Sequence, residues 1–370
     1  MRVAFSVDQL WFAAPGGIGT YVRELAPALE AADPSLELVR FASRWDGPAP
    51  DGSDGVVEVP ATIGSLYPRW ALTGRPALPE PLGSCDVVHA TNPAAVPPPV
   101  AGQGLVVTVH DLAFDRFPRA FPPRWRWLYR AGLRAAIRRA HVLVVPSHAT
   151  AGDLRAHGAP AERIHVTPLA AALPEGHADV AGVLARLRIE GPYVVCPATI
   201  EPRKNQVRLI RAYRQVAPDV PHALVLAGPD GWGIGEVDAE IARPGPGRIV
   251  RTGPLEAADL DAVYRGADLV AYVSLYEGFG LPIVEAMGRG VAVLASTTAA
   301  VAETAGDAAL LVDADDVAAI ADGLARLLGD PVLRGDLVEK GRARAAGYTW
   351  SATARATLDA YREAEERART

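Results

Sequence analysis

Two stretches of the chain gather charged side chains and glycines in the pattern a phosphate-bearing ligand needs. One reads Tyr276-Glu277-Gly278-Phe279-Gly280-Leu281-Pro282-Ile283-Val284-Glu285-Ala286-Met287. Its glycines permit a tight loop that a ligand can approach closely, and Pro282 suits the first position of a helix. Free backbone N–H groups around Leu281–Val284, with the helix dipole behind them, would face an anion. Glu285 sits one turn in. A carboxylate there suits a vicinal diol such as ribose rather than a phosphate, and Glu277 can likewise accept from sugar hydroxyls. The plain alternative is a glycine-rich turn with a carboxylate at a helix start. The other stretch is Glu201-Pro202-Arg203-Lys204-Asn205. Two adjacent cations suit a diphosphate and can stabilise its charge as it leaves. A solvated turn is the alternative.

Weaker signals lie in the first half. Val109-His110-Asp111 ends an apolar run. The imidazole can donate to a sugar hydroxyl or a backbone carbonyl, and Asp111 could orient it. Pro15-Gly16-Gly17-Ile18-Gly19-Thr20 precedes a helical pattern and exposes N–H groups to an anion or substrate. It matches neither the dinucleotide-binding GxGxxG nor a Walker A sequence, and a tight turn explains it as well. His89, Asn92, Ser147 and Thr150 also follow apolar runs, with capping and turn roles as their alternative. The other histidines form no metal-ligand set.

These residues need elements to carry them. Val3–Val7, Leu36–Phe41, Val87–His89, Leu105–His110 and Val142–Pro146 read as strands. A second series follows at Tyr193–Cys196, Ala223–Ala227, Ile249–Arg251, Leu269–Val273, Val291–Ala295 and Ala309–Val312. Helical stretches such as Gly19–Ala32 and Trp125–Ala140 separate them, with Pro27 expected to kink the first. Strands alternating with helices imply parallel sheets covered on both faces, and two series imply two doubly wound domains. Open parallel sheets bind ligands beyond the carboxyl ends of their strands, where the residues above fall. The boundary is expected near Leu173–Glu190, at Pro174, Glu175 and Gly176. Region 47–83, rich in Gly and Pro, reads as a loop with short elements. Residues 350–370 read as one or two charged helices.

Arg126, Arg130, Arg134 and Arg138 recur every four residues among Trp125, Trp127 and Tyr129. That spacing puts the arginines on one side of a helix. The segment 124–139 suits peripheral contact with anionic lipid, and a solvated face is the other reading. Bulk properties exclude several classes. The chain has 370 residues, 49% of them hydrophobic, enough for two cores and unlike a disordered chain. A net charge of -6 argues against nucleic acid as a partner. Cys85 and Cys196 are far apart and read as buried or free thiols. No apolar run is long enough to cross a membrane, the amino terminus lacks a signal-peptide core, and the default location is the cytoplasm.

Taken together, the motifs resemble glycosyltransferase family 4, retaining enzymes with the GT-B fold. Glu277–Glu285 resembles the family's Glu-x7-Glu signature, Gly16–Gly19 its amino-terminal glycine loop, and Glu201–Asn205 its donor-phosphate loop in the Glu-Pro-Arg-Lys-Asn form. Ala302–Ala309 and Tyr348-Thr349-Trp350-Ser351 match later segments, so the resemblance covers nearly the whole chain. It implies an α/β GT-B architecture of two Rossmann-like domains facing a central cleft. Residues 1–180 would bind the acceptor and 181–350 the nucleotide-sugar, with a carboxy-terminal helix, 351–370, returning to the first domain. Arg203 and Lys204 would bind the diphosphate, Glu285 the ribose, and Glu277 with the backbone of Phe279, Gly280 and Leu281 the donor sugar. His110 would meet that sugar from the first domain. Gly16, Gly17 and Gly19 would lie near diphosphate and acceptor, and backbone near Gly228 and Gly253 near the base. The family normally needs no metal, and Asp313–Asp316 reads as a helix start rather than a metal clamp. Thr199 stands where the broader family has an arginine, with Arg203 expected to compensate, and Val273-Ser274 replaces a Pro-Ser pair.

The Glu-Pro-Arg-Lys-Asn form is most similar to bacterial mannosyl- and rhamnosyltransferases of surface polysaccharide. GDP-mannose is therefore the first expected donor, with UDP- and dTDP-sugars as alternatives. The acceptor is a saccharide, a lipid-linked saccharide or a natural-product aglycone, and contact through 124–139 would put the protein on the inner face of the membrane. Retention is expected to proceed by front-face substitution, since no carboxylate nucleophile stands out. A GT-B phosphorylase, a sugar epimerase and a non-catalytic nucleotide-sugar binder remain as competing classes.

Overall fold

Aliphatic runs without polar alternation become central parallel strands, because both faces of such strands are covered. The computed structural model describes the chain apart from residues 13, 14, 46, 48, 49, 51, 52, 54 and 174–178. It divides into two compact units, Met1–Leu169 with Trp350–Thr370, and Ala170–Thr349. The division falls just ahead of the stretch expected from sequence, and Pro174, Glu175 and Gly176 lie outside the described residues.

The first unit is built on strands β1 (Arg2–Ser6), β2 (Glu37–Arg44), β3 (Val57–Thr62), β4 (Val87–Ala90), β5 (Gly104–Thr108), β6 (Val142–Val145) and β7 (Ile164–Val166). They pair in parallel in the order β3-β2-β1-β4-β5-β6-β7. Its helices are α1 (Gly16–Ala32), α2 (Ile63–Thr73), α3 (Ala113–Arg116), α4 (Pro123–Arg139) and α5 (His148–Ala156). The second unit holds α6 (Val180–Arg186), β8 (Tyr193–Pro197), α7 (Gln206–Val216), β9 (Ala223–Ala227), α8 (Gly235–Ala242), β10 (Ile249–Gly253), α9 (Ala257–Arg265) and β11 (Leu269–Tyr272). It continues through α10 (Leu281–Gly288), β12 (Val293–Ser296), α11 (Ala299–Ala305), β13 (Leu310–Val312), α12 (Val317–Gly329) and α13 (Pro331–Ala345). Its sheet is also parallel, in the order β10-β9-β8-β11-β12-β13. Both orders reverse direction once, at β1/β4 and at β8/β11. Those are the switch points where doubly wound sheets open a crevice at the strands' carboxyl ends.

The short elements expected within region 47–83 are β3 and α2. β3 carries Pro60 and is half-exposed, which an edge strand tolerates because its outer N–H groups need no partner. β7 was missed because three half-exposed edge residues carry no readable period. The glycine stretch lies not before α1 but in its first turn, and α1 runs on through Pro27.

The carboxy-terminal residues form one helix, α14 (Trp350–Arg369). Its buried stripe, Thr353, Ala354, Thr357, Leu358, Tyr361 and Ala364, has helical spacing and packs on α1 and β5. The approach is close: a Cβ added at Gly104 of β5 would meet the Ala364 backbone carbon at 2.9 Å. Both cysteines are buried and free.

Candidate functional site

In the second unit, the residues after β8 and after β11 meet because their strands are neighbours. The turn after β8 is held by Asn205, which adopts φ 63° and is buried. Its Nδ2 donates to the Val273 carbonyl at 3.0 Å and the Ala314 carbonyl at 2.7 Å. Leu275 N–H donates to the Arg203 carbonyl at 2.9 Å, closing one loop on the other. Arg203 and Lys204 thereby reach Glu277. Arg203 donates to Glu277 Oε2 at 2.8 Å, to Glu201 Oε1 at 2.8 Å and to the Tyr276 carbonyl at 3.1 Å. Lys204 Nζ donates to Glu277 Oε1 at 2.7 Å and to Tyr272 Oη at 3.0 Å.

Glu277 is only 8% exposed. Burial alone would raise its pKa, but the charges of Arg203 and Lys204 prevail and hold it at about 2. Two cations and two carboxylates, Glu201 and Glu277, balance the cluster.

α10 starts at Gly280, whose φ of 98° is open to glycine at no steric cost. The expected set of free N–H groups over Leu281–Val284 shrinks here. Pro282 has none, and Ile283 N–H donates to the Gly280 carbonyl at 2.9 Å. The Phe279 carbonyl accepts from Thr304 Oγ1 at 2.7 Å, and its ring meets Tyr348 edge-on at 5.5 Å. Glu285 accepts from Tyr264 Oη at 2.8 Å, and burial raises its pKa. Behind it, Arg289 donates to Asp261 at 2.7 Å and to the Glu285 carbonyl at 3.0 Å, lying over the Tyr264 ring. Gly228 and Gly253 stand at the carboxyl ends of β9 and β10. A Cβ at Gly228 would strike the Ala198 carbonyl oxygen at 2.4 Å, whereas around Gly253 there is open space. Thr199 binds Gln206 through its carbonyl.

In the first unit, His110 follows β5 and is partly buried. Its Nε2 lies 3.1 Å from the Thr91 carbonyl, which can only accept, so Nε2 carries the proton. Burial lowers its pKa to about 4, leaving a neutral ring whose Nδ1 is an acceptor. The Tyr21 ring meets it edge-on at 4.8 Å. Asp111 accepts from Ala113 N–H at 2.9 Å. A cleft-lining position for His89 is not what the structure shows. It is fully buried, bridging Tyr361 Oη and Thr108 Oγ1 at 2.7 Å each, and burial lowers its pKa to about 3. Thr108 continues the chain to Tyr21 Oη at 3.0 Å. Ser147 caps α5 by accepting from Thr150 N–H, and Asn92 accepts from Ala94 N–H. In α1, Gly16 has φ 58°, a Cβ at Gly17 would meet nothing, and one at Gly19 would strike Pro15.

The arginines of α4 divide. Arg130 pairs with Asp115 at 2.8 Å and Arg126 donates to the Pro118 carbonyl. Arg124, Arg134 and Arg138 are exposed, and Trp127 is 47% exposed. Trp125 and Tyr129 turn inward toward Phe12 and Phe114.

Tyr272, Tyr264, Tyr21, Thr108 and Tyr361 carry no site signal in the sequence. A lone tyrosine in a strand or helix has the pattern of a core residue, and only its partner reveals its hydroxyl. Asp316 caps α12, the helix start expected over Asp313–Asp316. Among the described residues, no group of three or more His, Cys, Asp or Glu is disposed to hold a metal ion. Nor is any helix long and apolar enough to cross a membrane.

Residues 15–171 match the family described as glycosyltransferase family 4, and residues 186–344 match glycosyl transferases group 1. An O-antigen chain mannosyltransferase B of Escherichia coli is 31% identical over 266 residues, 70% of either chain. A D-inositol 3-phosphate glycosyltransferase of Salinispora arenicola is 30% identical, covering 94% of this chain and 87% of its own. The solved sucrose-phosphate synthase of Thermosynechococcus elongatus superposes with a TM-score of 0.74 at 22% identity, over 98% of both chains.

Proposed function

The chain belongs to glycosyltransferase family 4, and from that premise we propose that it transfers a hexosyl group with retention, mannose from GDP-mannose first. Nucleotide-sugar-dependent glycosyl transfer on a GT-B fold is the activity. The observation that carries the finer reading is the cluster of Arg203, Lys204 and Glu277 at the β8/β11 switch point, with Glu285 one turn into α10. The cations bind the diphosphate, Glu285 the ribose, and Glu277 with the backbone of Phe279–Leu281 the transferred sugar. His110 takes a sugar hydroxyl as acceptor through Nδ1. Gly16, Gly17 and Gly19 border the acceptor, and Gly228 and Gly253 the base. The first unit is assigned the acceptor and the second the donor.

The bond between the anomeric carbon and the diphosphate oxygen breaks, and the acceptor oxygen bonds to that carbon on the same face. The acceptor's proton passes to the departing diphosphate. Arg203 and Lys204 stabilise the charge that develops there. Glu277 is tied to both cations, which makes it a poor nucleophile and supports front-face substitution over a double displacement.

The mannosyltransferase among the relatives supports mannose. The inositol-phosphate relative widens the acceptor class beyond saccharide and lipid-linked saccharide. The exposed Arg124, Trp127, Arg134 and Arg138 of α4 support an anionic lipid surface as a second partner, on the cytoplasmic face of the membrane.

A thermal-shift panel of GDP-, UDP- and dTDP-sugars tests the donor, since the ligand that binds tightest raises the melting temperature most. GDP-mannose is expected to lead, and a larger shift with UDP-glucose or dTDP-rhamnose overturns that choice. An inverted anomer in the product, read by NMR, overturns retention. Lys204→Ala is expected to cut turnover by about 10²–10³-fold, and unchanged turnover removes Lys204 from the reaction.

A further inference from the structure

Lys204 has two partners that differ in kind. Glu277 is a carboxylate with a second task, because the reading above gives it the transferred sugar. Tyr272 is a phenol, and its hydroxyl also faces Glu277 and Ser274. It ends β11, opposite Ala295 of β12, and is 2% exposed. Its hydroxyl accepts from Lys204 Nζ at 3.0 Å, and the ammonium lies 5.3 Å from its ring centroid. Burial, with the Glu277 charge beside it, pushes the phenol well above its ordinary pKa, so it stays neutral.

Neutrality matters at this position. An ammonium has three donors. Tyr272 and Glu277 engage two, and the third is the one a diphosphate would take. A third carboxylate in place of Tyr272 would outweigh the two cations and repel a diphosphate. A phenylalanine would leave Lys204 tethered to Glu277 alone, and the ammonium would follow the carboxylate when it turned to the sugar.

We propose that Tyr272 is a positioning residue of the donor-phosphate loop: its buried hydroxyl keeps the Lys204 ammonium on station while Glu277 exchanges that ammonium for the donor sugar. The inference rests on Lys204 as a ligand of the diphosphate. Its effect is concentrated where charge on the leaving diphosphate is largest, so it acts on turnover more than on binding.

The test is steady-state kinetics of full-length Tyr272→Phe, run with the nucleotide-sugar of the panel that the parent turns over fastest, alongside Lys204→Ala and thermal melts. Tyr272→Phe is expected to lower kcat about tenfold with KM for the donor within about twofold and an unchanged melting temperature. A kcat within about twofold of the parent overturns the proposal. So does a kcat loss matched by a fall in melting temperature and a rise in KM, which marks a packing role. If Lys204→Ala turns over normally, the diphosphate reading itself fails. If Lys204→Ala is impaired and Tyr272→Phe is not, only the role of Tyr272 fails.

Discussion

The two units treat their buried polar groups in opposite ways. In the first, His89 and His110 are neutral: burial lowers their pKa values to about 3 and about 4, His89 bonding two hydroxyls and His110 a carbonyl, with the Asp111 charge beside His110 too weak to reverse it. In the second, Glu277 is buried yet stays charged, with Arg203 and Lys204 both within 2.8 Å. Burial disfavours charge in either place. It prevails where the partners are neutral and loses where two opposite charges touch the group. The first unit thus keeps these imidazoles neutral, and the second keeps Glu277 charged.

That contrast can be broken most sharply through the ion pair behind Glu285. Arg289 and Asp261 have side chains only 3% exposed. Arg289→Ala should cost about 2–3 kcal/mol in urea unfolding, because it removes one of the two arginines paired with buried Asp261 and leaves only Arg265 at 2.7 Å. A loss below about 1 kcal/mol would mean the second unit does not depend on pairing. The pH dependence separates the units next. The histidines' folded values lie below their ordinary 6.5, so their contribution is complete above that pH and is lost as pH falls toward 4 and 3. Glu277 is also depressed, and its contribution is lost only below 4.5, toward 2. Between pH 6.5 and 4.5 the first unit alone should weaken through these groups. Relative to the parent, His89→Gln should flatten the unfolding free energy there by up to about 1.4 kcal/mol per pH unit. Identical slopes would defeat the assignment of a neutral His89.

A smaller effect is expected at Tyr264, which holds Glu285 at 2.8 Å. Tyr264→Phe should weaken GDP binding by about 1 kcal/mol, roughly fivefold, measured by calorimetry. Equal affinity would show that Glu285 is placed by Arg289 and packing alone. Smallest in stability is the double change Arg134→Ala, Arg138→Ala on the exposed face of α4, within about 0.5 kcal/mol of the parent. It should nonetheless reduce sedimentation with vesicles containing anionic lipid, and undiminished sedimentation would remove that face as the contact.

Much of this was legible beforehand, for local reasons. The central strands announced themselves by unbroken aliphatic runs, and Pro282 and Gly280 marked the start of α10. Asp316 marked that of α12. β3 and β7 escaped because edge strands are half-exposed and short, so neither alternation nor a buried run identifies them. The turn of Arg203 and Lys204 was visible as a cationic pair, but its counter-charges were not. Glu277 lies more than seventy positions away, and only the adjacency of β8 and β11 brings it within 2.7 Å of Lys204. His110 was visible as a polar stop to a strand. Its protonated nitrogen was not, because Thr91 belongs to a different strand end.

The sequence by itself determined the residue types at the strand ends, the alternation of strand and helix that makes two doubly wound sheets, and the family. These depend on local period and motif, which the chain carries in linear order. Tertiary structure decided the charge state of each group and which partner holds it. Strand order set both: it puts two cations against Glu277, a phenol against Lys204 and another against Glu285, and leaves His89 among hydroxyls with no charge to answer its own. Protonation depends on what surrounds a group in three dimensions, and those neighbours are distant in the chain.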